Sequence, residues 1–325
     1  MGSATGIGSL PGTDIAEAQK LILGELPDLP HLPELPDRGP GADMIGRSAG
    51  FLPELPVELY TGRWQVAHRP GRDLRRTADL LERDLDQLAE QAAGFTGTIK
   101  IQAVGPWTLS ASIELAQGGP LLRDHGAARD LAASLAQGLK DHVAAVRRRL
   151  PGAQVLLQLD EPSLPAVRSG RVPTASGWGT LRAVSDERAR DALRMVIDAV
   201  GAPVVVHCCA PDAPLGLLRD SGATGVSIDL SLLKDLDILG EQIDEGLGIF
   251  AGVIPTLSDV DPDPQVAAHR VAGIWRALGF PVEQLSAQVV ITPACGLAGA
   301  SQRRTRSVVT ACYQAARELR ERIGV

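Results

Sequence analysis

Short aliphatic, β-branched runs alternate along the chain with long amphipathic segments. Buried strands are predicted for seven such runs, at 6–9, 98–104, 154–159, 203–207, 225–229, 248–253 and 288–292. Between them, apolar residues recur with the spacing of a helix face at 73–93, 127–150, 186–200, 230–245, 264–278 and 301–323. A strand followed by a helix, repeated in this way, predicts parallel strands joined by right-handed crossovers.

We therefore predict an α/β fold, a single-domain (β/α)8 TIM barrel over residues 1–325, with a weak second strand hidden in a Pro- and Gly-rich loop at about 26–62. No regular element is expected within 26–50, where prolines recur every three or four residues. That stretch is either a plain surface loop or a βα loop that folds over the barrel mouth. A doubly wound open sheet is the alternative, although the chain has neither a dinucleotide-binding glycine motif nor a Walker motif.

Composition and charge exclude several classes of protein. Four cysteines in 325 residues are too few for a disulfide framework, so we expect reduced thiols. The net charge of −7 argues against nucleic-acid binding. No long apolar stretch and no basic, apolar leader is present, so we expect a cytoplasmic protein without a membrane partner.

The sequence His207-Cys208-Cys209 ends the most continuous β-branched run. Side chains alternate along a strand, so His207 and Cys209 are expected on one side and Cys208 on the other. In a barrel all strand ends meet at one mouth, where Asp229 and Cys295 also follow strands. These four residues offer N, S, O and S ligands to one Zn²⁺. The alternative is that the cysteines are small buried side chains and the histidine is a hydrogen-bonded strand end.

Three other strand ends carry polar or aromatic groups. Asp160 and Glu161 end one strand, and one carboxylate can face the mouth to bind a substrate ammonium while the other pairs within the wall. The alternative is a solvated strand end with a helix N-cap. Ser9 follows a small-residue strand end that lets its hydroxyl approach an anionic group. Trp107 adds an indole at the same rim, unless it only packs. Each of these signals is weak by itself.

Taken in order, the strand-end motifs resemble those of cobalamin-independent methionine synthase. The motifs are Ile7-Gly8-Ser9-Leu10-Pro11, Gly105-Pro106-Trp107-Thr108, Leu159-Asp160-Glu161-Pro162, His207-x-Cys209 and Cys295-Gly296-Leu297. The resemblance covers almost the whole chain and corresponds to the catalytic C-terminal barrel of that two-barrel enzyme. It is similar to the short core-type methionine synthases of the uroporphyrinogen decarboxylase/methionine synthase-like superfamily.

The resemblance implies a role for each matching residue. It places zinc ligands at His207, Cys209 and Cys295, and a carboxylate ligand at Asp229, where the family usually has glutamate. The substrate-binding positions that we infer are Ser9, Asp160, Glu161 and Trp107. Zinc would hold the homocysteine sulfur as a thiolate that attacks a methyl group on nitrogen or cobalt.

Two departures from the family pattern concern the methyl donor and the second strand. The family has a histidine after the strand at 248–253, thought to protonate the folate leaving group, and this chain has Leu257 there. The family's second-strand carboxylate has no clear counterpart, since Glu34 and Asp37 both remain open. A cobalt leaving group needs no proton, so a methylcorrinoid protein is a possible donor beside methyltetrahydrofolate.

Three hypotheses follow for function. The first is a methyltransferase that makes methionine from L-homocysteine, similar to 5-methyltetrahydropteroyltriglutamate–homocysteine S-methyltransferase or to the corrinoid-dependent core enzymes. The second keeps the zinc and changes the thiol, for example to coenzyme M. The third is a zinc- or thiol-binding barrel without catalysis, which Leu257 permits.

Overall fold

A computed structural model of the protein describes residues 3–323. The strands are β1 (Ser3–Ala4), β2 (Val57–Tyr60), β3 (Arg63–Val66), β4 (Thr98–Val104), β5 (Gln154–Asp160), β6 (Val204–His207), β7 (Gly225–Asp229), β8 (Gly248–Ile254) and β9 (Val289–Pro293). Seven of them form one parallel sheet in the order β1-β9-β8-β7-β6-β5-β4. The hairpin β2–β3, which the sequence did not predict, is a separate antiparallel pair.

The described residues include twelve α-helices. They are α1 (Ile15–Glu25), α2 (Met44–Ala49), α3 (Arg72–Gln91), α4 (Pro106–Ser112), α5 (His125–Arg149), α6 (Leu164–Arg168), α7 (Asp186–Val200), α8 (Leu215–Asp220), α9 (Leu236–Asp244), α10 (Pro264–Ala277), α11 (Glu283–Gln288) and α12 (Gln302–Ile323). The long ones begin where a cap residue permits, as at Asp124 before α5 and Ser185 before α7. Between residues 3 and 323 no helix combines the length and the apolar character needed to cross a membrane.

The segment 30–34 occupies the place between β4 and the residues that follow β1. On one side Lys100 N donates to Pro30 O at 2.8 Å and Leu32 N donates to Lys100 O at 2.9 Å. On the other side Glu34 N donates to Gly8 O at 3.1 Å and Leu10 N donates to Glu34 O at 2.9 Å. The prolines remove N–H donors, which explains why only isolated bridges form here. Seven parallel strands with crossover helices confirm the α/β prediction, and the eight-stranded barrel stays a prediction.

The expectation of no regular element within 26–50 was wrong. Helix α2 forms there because Asp43 caps it, its Oδ1 accepting from Gly46 N at 2.8 Å. In the sequence, Gly46 argued against a helix, but in the structure its lack of a side chain permits close packing. A β-carbon at that position would overlap the ring of Trp64 in β3.

Strand register sets the positions of the polar strand ends. Along the sheet Val104 pairs with Asp160, Asp160 pairs with His207, and His207 pairs with Ser227. Strands β4, β5 and β6 therefore end level with one another, and β7 continues two residues further, to Asp229. Residues just beyond these ends share one edge of the sheet, which is where parallel α/β folds place their sites.

Candidate metal and substrate site

Three ligand-type side chains converge at the carboxyl ends of β6 and β9. The ligand atoms of His207, Cys209 and Cys295 all lie within 4.8 Å of one another, and the two sulfur atoms are 3.1 Å apart. In the part of the chain that the structure describes, no other group of three His, Cys, Asp or Glu side chains comes this close. The predicted convergence of these residues from separate strands is thus what the structure shows.

The imidazole of His207 is oriented by the neighbouring strand. Its Nδ1 lies 3.1 Å from the backbone carbonyl oxygen of Ser227, which can only accept a hydrogen bond. The Nδ1–H therefore donates to it, and Nε2 keeps its lone pair. Nε2 is buried and has no hydrogen-bond partner among the described residues. A buried nitrogen without a partner, held by a carbonyl at its other ring nitrogen, is the arrangement of a metal-binding histidine.

The pKa values of the two thiols are shifted in opposite directions. The hydrogen bond from Cys209, together with the nearby His207, lowers the pKa of Cys295 to about 4. The same contact and burial raise the pKa of Cys209. Cysteine ligands bind metals as thiolates, and one nitrogen with two sulfurs is a common zinc donor set. The residues present therefore fit Zn²⁺.

Asp229 lies apart from this group of three ligands. Its Oδ1 accepts a hydrogen bond from Ser231 N at 2.8 Å. The side chain lines a small pocket together with Cys208 and Leu232, and Cys209 is not among the residues that line it. Cys208 also lies outside the group that His207 and Cys209 form with Cys295, and a role for Asp229 as fourth ligand stays a prediction.

Asp160 faces the ligand group from the end of β5. It is buried, and its Oδ1 accepts from Gln158 Nε2 at 2.7 Å. Burial raises the pKa of Asp160, whereas His207 lowers it, and Cys295 raises it. Both ligand side chains are therefore close enough to Asp160 to act on its charge. This is the position from which a carboxylate can bind a charged group of a thiol held beside the cysteines.

Ser9 approaches the ligand group from the opposite side. Its carbonyl oxygen accepts from Leu297 N at 2.8 Å. A β-carbon on Gly296 would overlap the Ser9 hydroxyl, so the glycine that follows Cys295 permits this approach. The weak signal at Ser9 thus corresponds to a hydroxyl beside the third predicted ligand.

The polar groups of Glu161 and Trp107 make hydrogen bonds to helices α4 and α7. The Glu161 carboxylate is fully buried and accepts from the backbone N–H of Trp107 at 2.9 Å and of Thr108 at 2.8 Å, and from the Thr108 hydroxyl at 2.7 Å. It therefore caps α4, and Gly105 leaves the space that it fills. The indole Nε1 of Trp107 donates to Ala189 O of α7 at 2.9 Å. Assigning either side chain to the substrate stays a prediction, which a stability measurement can test.

We expect Glu161→Gln to destabilise the fold by about 1–3 kcal/mol, because an amide offers one acceptor oxygen and leaves a buried backbone N–H of α4 without a partner. Denaturant unfolding measures this, with the exposed Glu58→Gln as the control, which should change the free energy of unfolding by less than about 0.5 kcal/mol. A Glu161→Gln protein of unchanged stability that no longer binds its thiol would instead assign Glu161 to the substrate.

The structure selects between the two open second-strand carboxylates. Glu34 is buried with one oxygen 3.5 Å from Arg47 Nε, and burial raises the pKa of Glu34 to about 7 despite that arginine. Asp37 lies in the following turn, where it accepts from Gly12 N at 2.7 Å. Glu34 is therefore the carboxylate that accompanies Asp160, whose charge also raises the pKa of Glu34.

Sequence reasoning missed the polar side chains beneath the site. Lys100 and Gln102 of β4 and Gln158 of β5 are buried. The signal was present, since polar residues at alternate positions of a strand with no exposed face lie together on one buried side of the sheet.

Leu257 is 71% exposed in the loop after β8. Arg304 of α12 holds this loop by donating to the carbonyl oxygens of Pro255 at 2.6 Å, Thr256 at 3.2 Å and Val260 at 2.6 Å. The Leu257 side chain extends toward Gly299, which lies in the loop that contains Cys295. An aliphatic group without a transferable proton thus occupies this part of the rim.

Comparisons with known proteins agree with this geometry. Residues 89–318 match the family model described as the catalytic domain of cobalamin-independent synthase. No curated protein matches the chain.

Two solved structures share the fold. A B12-independent methionine synthase from Shewanella sp. W3-18-1, solved in complex with selenomethionine, is 14% identical with a TM-score of 0.66, covering 99% of this chain and 98% of that one. A methyltransferase from Methanosarcina mazei is 15% identical with a TM-score of 0.58, covering 97% of this chain and 94% of that one.

Proposed function

Since the chain belongs to the cobalamin-independent synthase catalytic-domain family, we propose that it is a zinc-dependent methyltransferase that converts L-homocysteine to methionine. The observation that carries the proposal is the group of His207, Cys209 and Cys295, whose ligand atoms lie within 4.8 Å of one another, with Nε2 of His207 buried and without a hydrogen-bond partner among the described residues. Family membership supports methyl transfer, and the donor set supports the metal. We also propose that the segment 30–34 is the eighth strand position that closes the barrel.

Zinc would be held by His207, Cys209 and Cys295, with Asp229 as the fourth ligand once its side chain leaves Ser231 N. When bound, the metal lowers the pKa of a substrate thiol and keeps it as a nucleophilic thiolate. The backbone carbonyl oxygen of Ser227 keeps the His207 ring in place by accepting a hydrogen bond from Nδ1–H. This chain's residues thereby fix where the sulfur must lie.

The amino-acid end of the substrate would be bound by the groups that flank the cysteines. Asp160 and Glu34 offer carboxylates to the substrate ammonium, and burial makes such a pairing stronger than it is in water. The Ser9 hydroxyl can donate to the substrate carboxylate from the opposite side. Holding both ends orients the sulfur toward the methyl donor and favours thiols that carry an amino group over those that lack one.

Leu257 supports a donor whose leaving group needs no proton. Departure of tetrahydrofolate requires an acid, and a positioned acid contributes about 10²- to 10⁴-fold to such a step. Cobalt accepts the electron pair of the breaking bond without a proton. We therefore propose a methylcorrinoid as the preferred donor and methyltetrahydrofolate as a poor one.

The experiment is metal analysis of the purified protein, followed by methionine formation from homocysteine with methylcobalamin or methyltetrahydrofolate. We expect one zinc per chain and a rate with methylcobalamin that is about 10²-fold higher, the share assigned above to a missing acid. Coenzyme M in place of homocysteine tests the other thiol. A correctly folded protein without zinc, or one that makes no thioether from either thiol, would contradict the proposal.

A further inference from the structure

An ammonium group lies in the interior of the barrel, beneath the proposed substrate site. Lys100 of β4 is 0% exposed. Its Nζ donates to Ile7 O at 2.8 Å, to Gln158 Oε1 at 2.7 Å and to Gln102 Oε1 at 3.3 Å. All three donors of the ammonium are thereby used, and two of its partners are side-chain amides.

These contacts fix which way both amides point. An ammonium group has no acceptor, so each glutamine must turn its oxygen toward Lys100 and its NH₂ group away from it. The Gln158 NH₂ then donates to Asp160 Oδ1 at 2.7 Å and to Ile7 O at 2.8 Å. The Gln102 NH₂ donates to Leu32 O, and a hydrogen bond from Gln102 also lowers the pKa of Glu34. Without Lys100, both amide oxygens would be buried without this donor, and the amides would be held only by the acceptors of their NH₂ groups.

The arrangement leaves one oxygen of Asp160 available. Gln158 occupies Oδ1, and within residues 3–323 no hydrogen bond is made to Oδ2. A carboxylate held by one oxygen presents the other in a fixed direction. The charges of Asp160 and Glu34 both act on Lys100, where they raise its pKa while burial lowers it to about 7. The lysine thus lies near both carboxylates that are proposed for the substrate ammonium.

We propose that Lys100 is a positioning residue for recognition of the substrate amino group, acting through Gln158 on Asp160. The inference rests on the proposed function, in which Asp160 binds the ammonium of homocysteine. Lys100 itself contacts neither the substrate nor the metal ligands. Its role is to make the Gln158 amide present a donor, rather than an acceptor, to Asp160.

The experiment compares the zinc-loaded wild type with Lys100→Met, using calorimetric binding of homocysteine and of 4-mercaptobutyrate, which is homocysteine without its amino group. We expect the affinity for homocysteine to fall about 10- to 100-fold, the size of one or two hydrogen bonds to charged groups. Binding of 4-mercaptobutyrate and the zinc content should stay unchanged. Lys140→Met makes the same chemical change on the exposed face of α5 and should alter neither affinity.

If Lys100→Met does not fold, Gln158→Met tests the same link, because it removes the donor to Asp160 with little change in side-chain size and adds no charge. An equal loss of affinity for both thiols would show a purely structural role and overturn the inference. Wild-type protein that binds both thiols equally would contradict amino-group recognition in the proposed function. In that case a crystal structure of Lys100→Met, or of Gln158→Met if only that variant folds, decides: an unchanged position of the Asp160 side chain would overturn the positioning role.

Discussion

Cys209→Ser should leave the protein without zinc and without methyl transfer to a thiol, whereas Cys208→Ala should keep both. The two residues are neighbours in sequence, but only Cys209 has its sulfur 3.1 Å from Cys295 Sγ. Serine replaces a thiolate by a hydroxyl that stays protonated near neutral pH, so one of three strong ligands is lost. Cys208 is buried outside this group of ligands and lines the pocket beside Leu232.

Metal analysis after dialysis against a chelator gives the first measurement, and methionine formation gives the second. Cys295→Ser should behave as Cys209→Ser does, because its sulfur belongs to the same group of three ligands. Cys208→Ala should lose only stability, by about 1 kcal/mol, as expected for a small core truncation. Zinc retained by both serine variants, with activity intact, would place the metal elsewhere.

The proximity of the metal ligands could be predicted from sequence because it depends on strand ends alone. His207 and Cys295 end or follow strands of strong β-branched character, and those strands were recognised within one or two residues of their observed bounds. In a parallel sheet closed by crossover helices, all carboxyl ends lie on one side. Cys209 and Cys295 lie two residues beyond β6 and β9, so strand position predicts that they are near each other, whereas the direction of each side chain depends on the backbone that follows the strand.

The roles of adjacent polar residues beyond a strand end could not be predicted in the same way. Asp160 still belongs to β5, so its direction follows the pleat. Glu161 follows the end of the strand, where its backbone N–H donates to His207 O and its carboxylate turns to the N-terminus of α4. The direction of such a side chain depends on its backbone angles and on the position of a helix that begins far away in sequence. The spacing of residues around Glu161 predicts neither of these.

The segment 30–34 could not be located within the predicted stretch 26–62 because its sequence breaks the usual strand signals. Prolines at 30 and 33 deny the segment a continuous ladder, so it is held by single bridges on each side. The register of this segment could therefore not be predicted, and the sequence did not show whether Glu34 or Asp37 is the second-strand carboxylate. The buried ion pairs that fix it are long-range: Arg47 of α2 contacts both Glu34 and Asp84 of α3, with 2.6 Å to the latter.

Asp160→Asn should lower kcat/KM for homocysteine by about 10²- to 10³-fold, the size expected when one partner of a buried charge pair is neutralised. The change does more than remove a charge. Gln158 is held by Lys100 with its NH₂ toward residue 160, so the new amide must turn its oxygen to Gln158. Its own NH₂ group then points where Oδ2 was, and it directs a donor at the substrate ammonium.

The rate with 4-mercaptobutyrate separates this effect from damage to the metal site. That thiol has no ammonium to lose, so Asp160→Asn should change its turnover little, and the zinc content should equal that of the wild type. Asp198→Asn, on the exposed face of α7, makes the same substitution away from the site and should leave both rates alone. Equal losses with both thiols would mean that Asp160 acts on the metal group, which it faces across the end of β6, and that the ammonium is bound elsewhere.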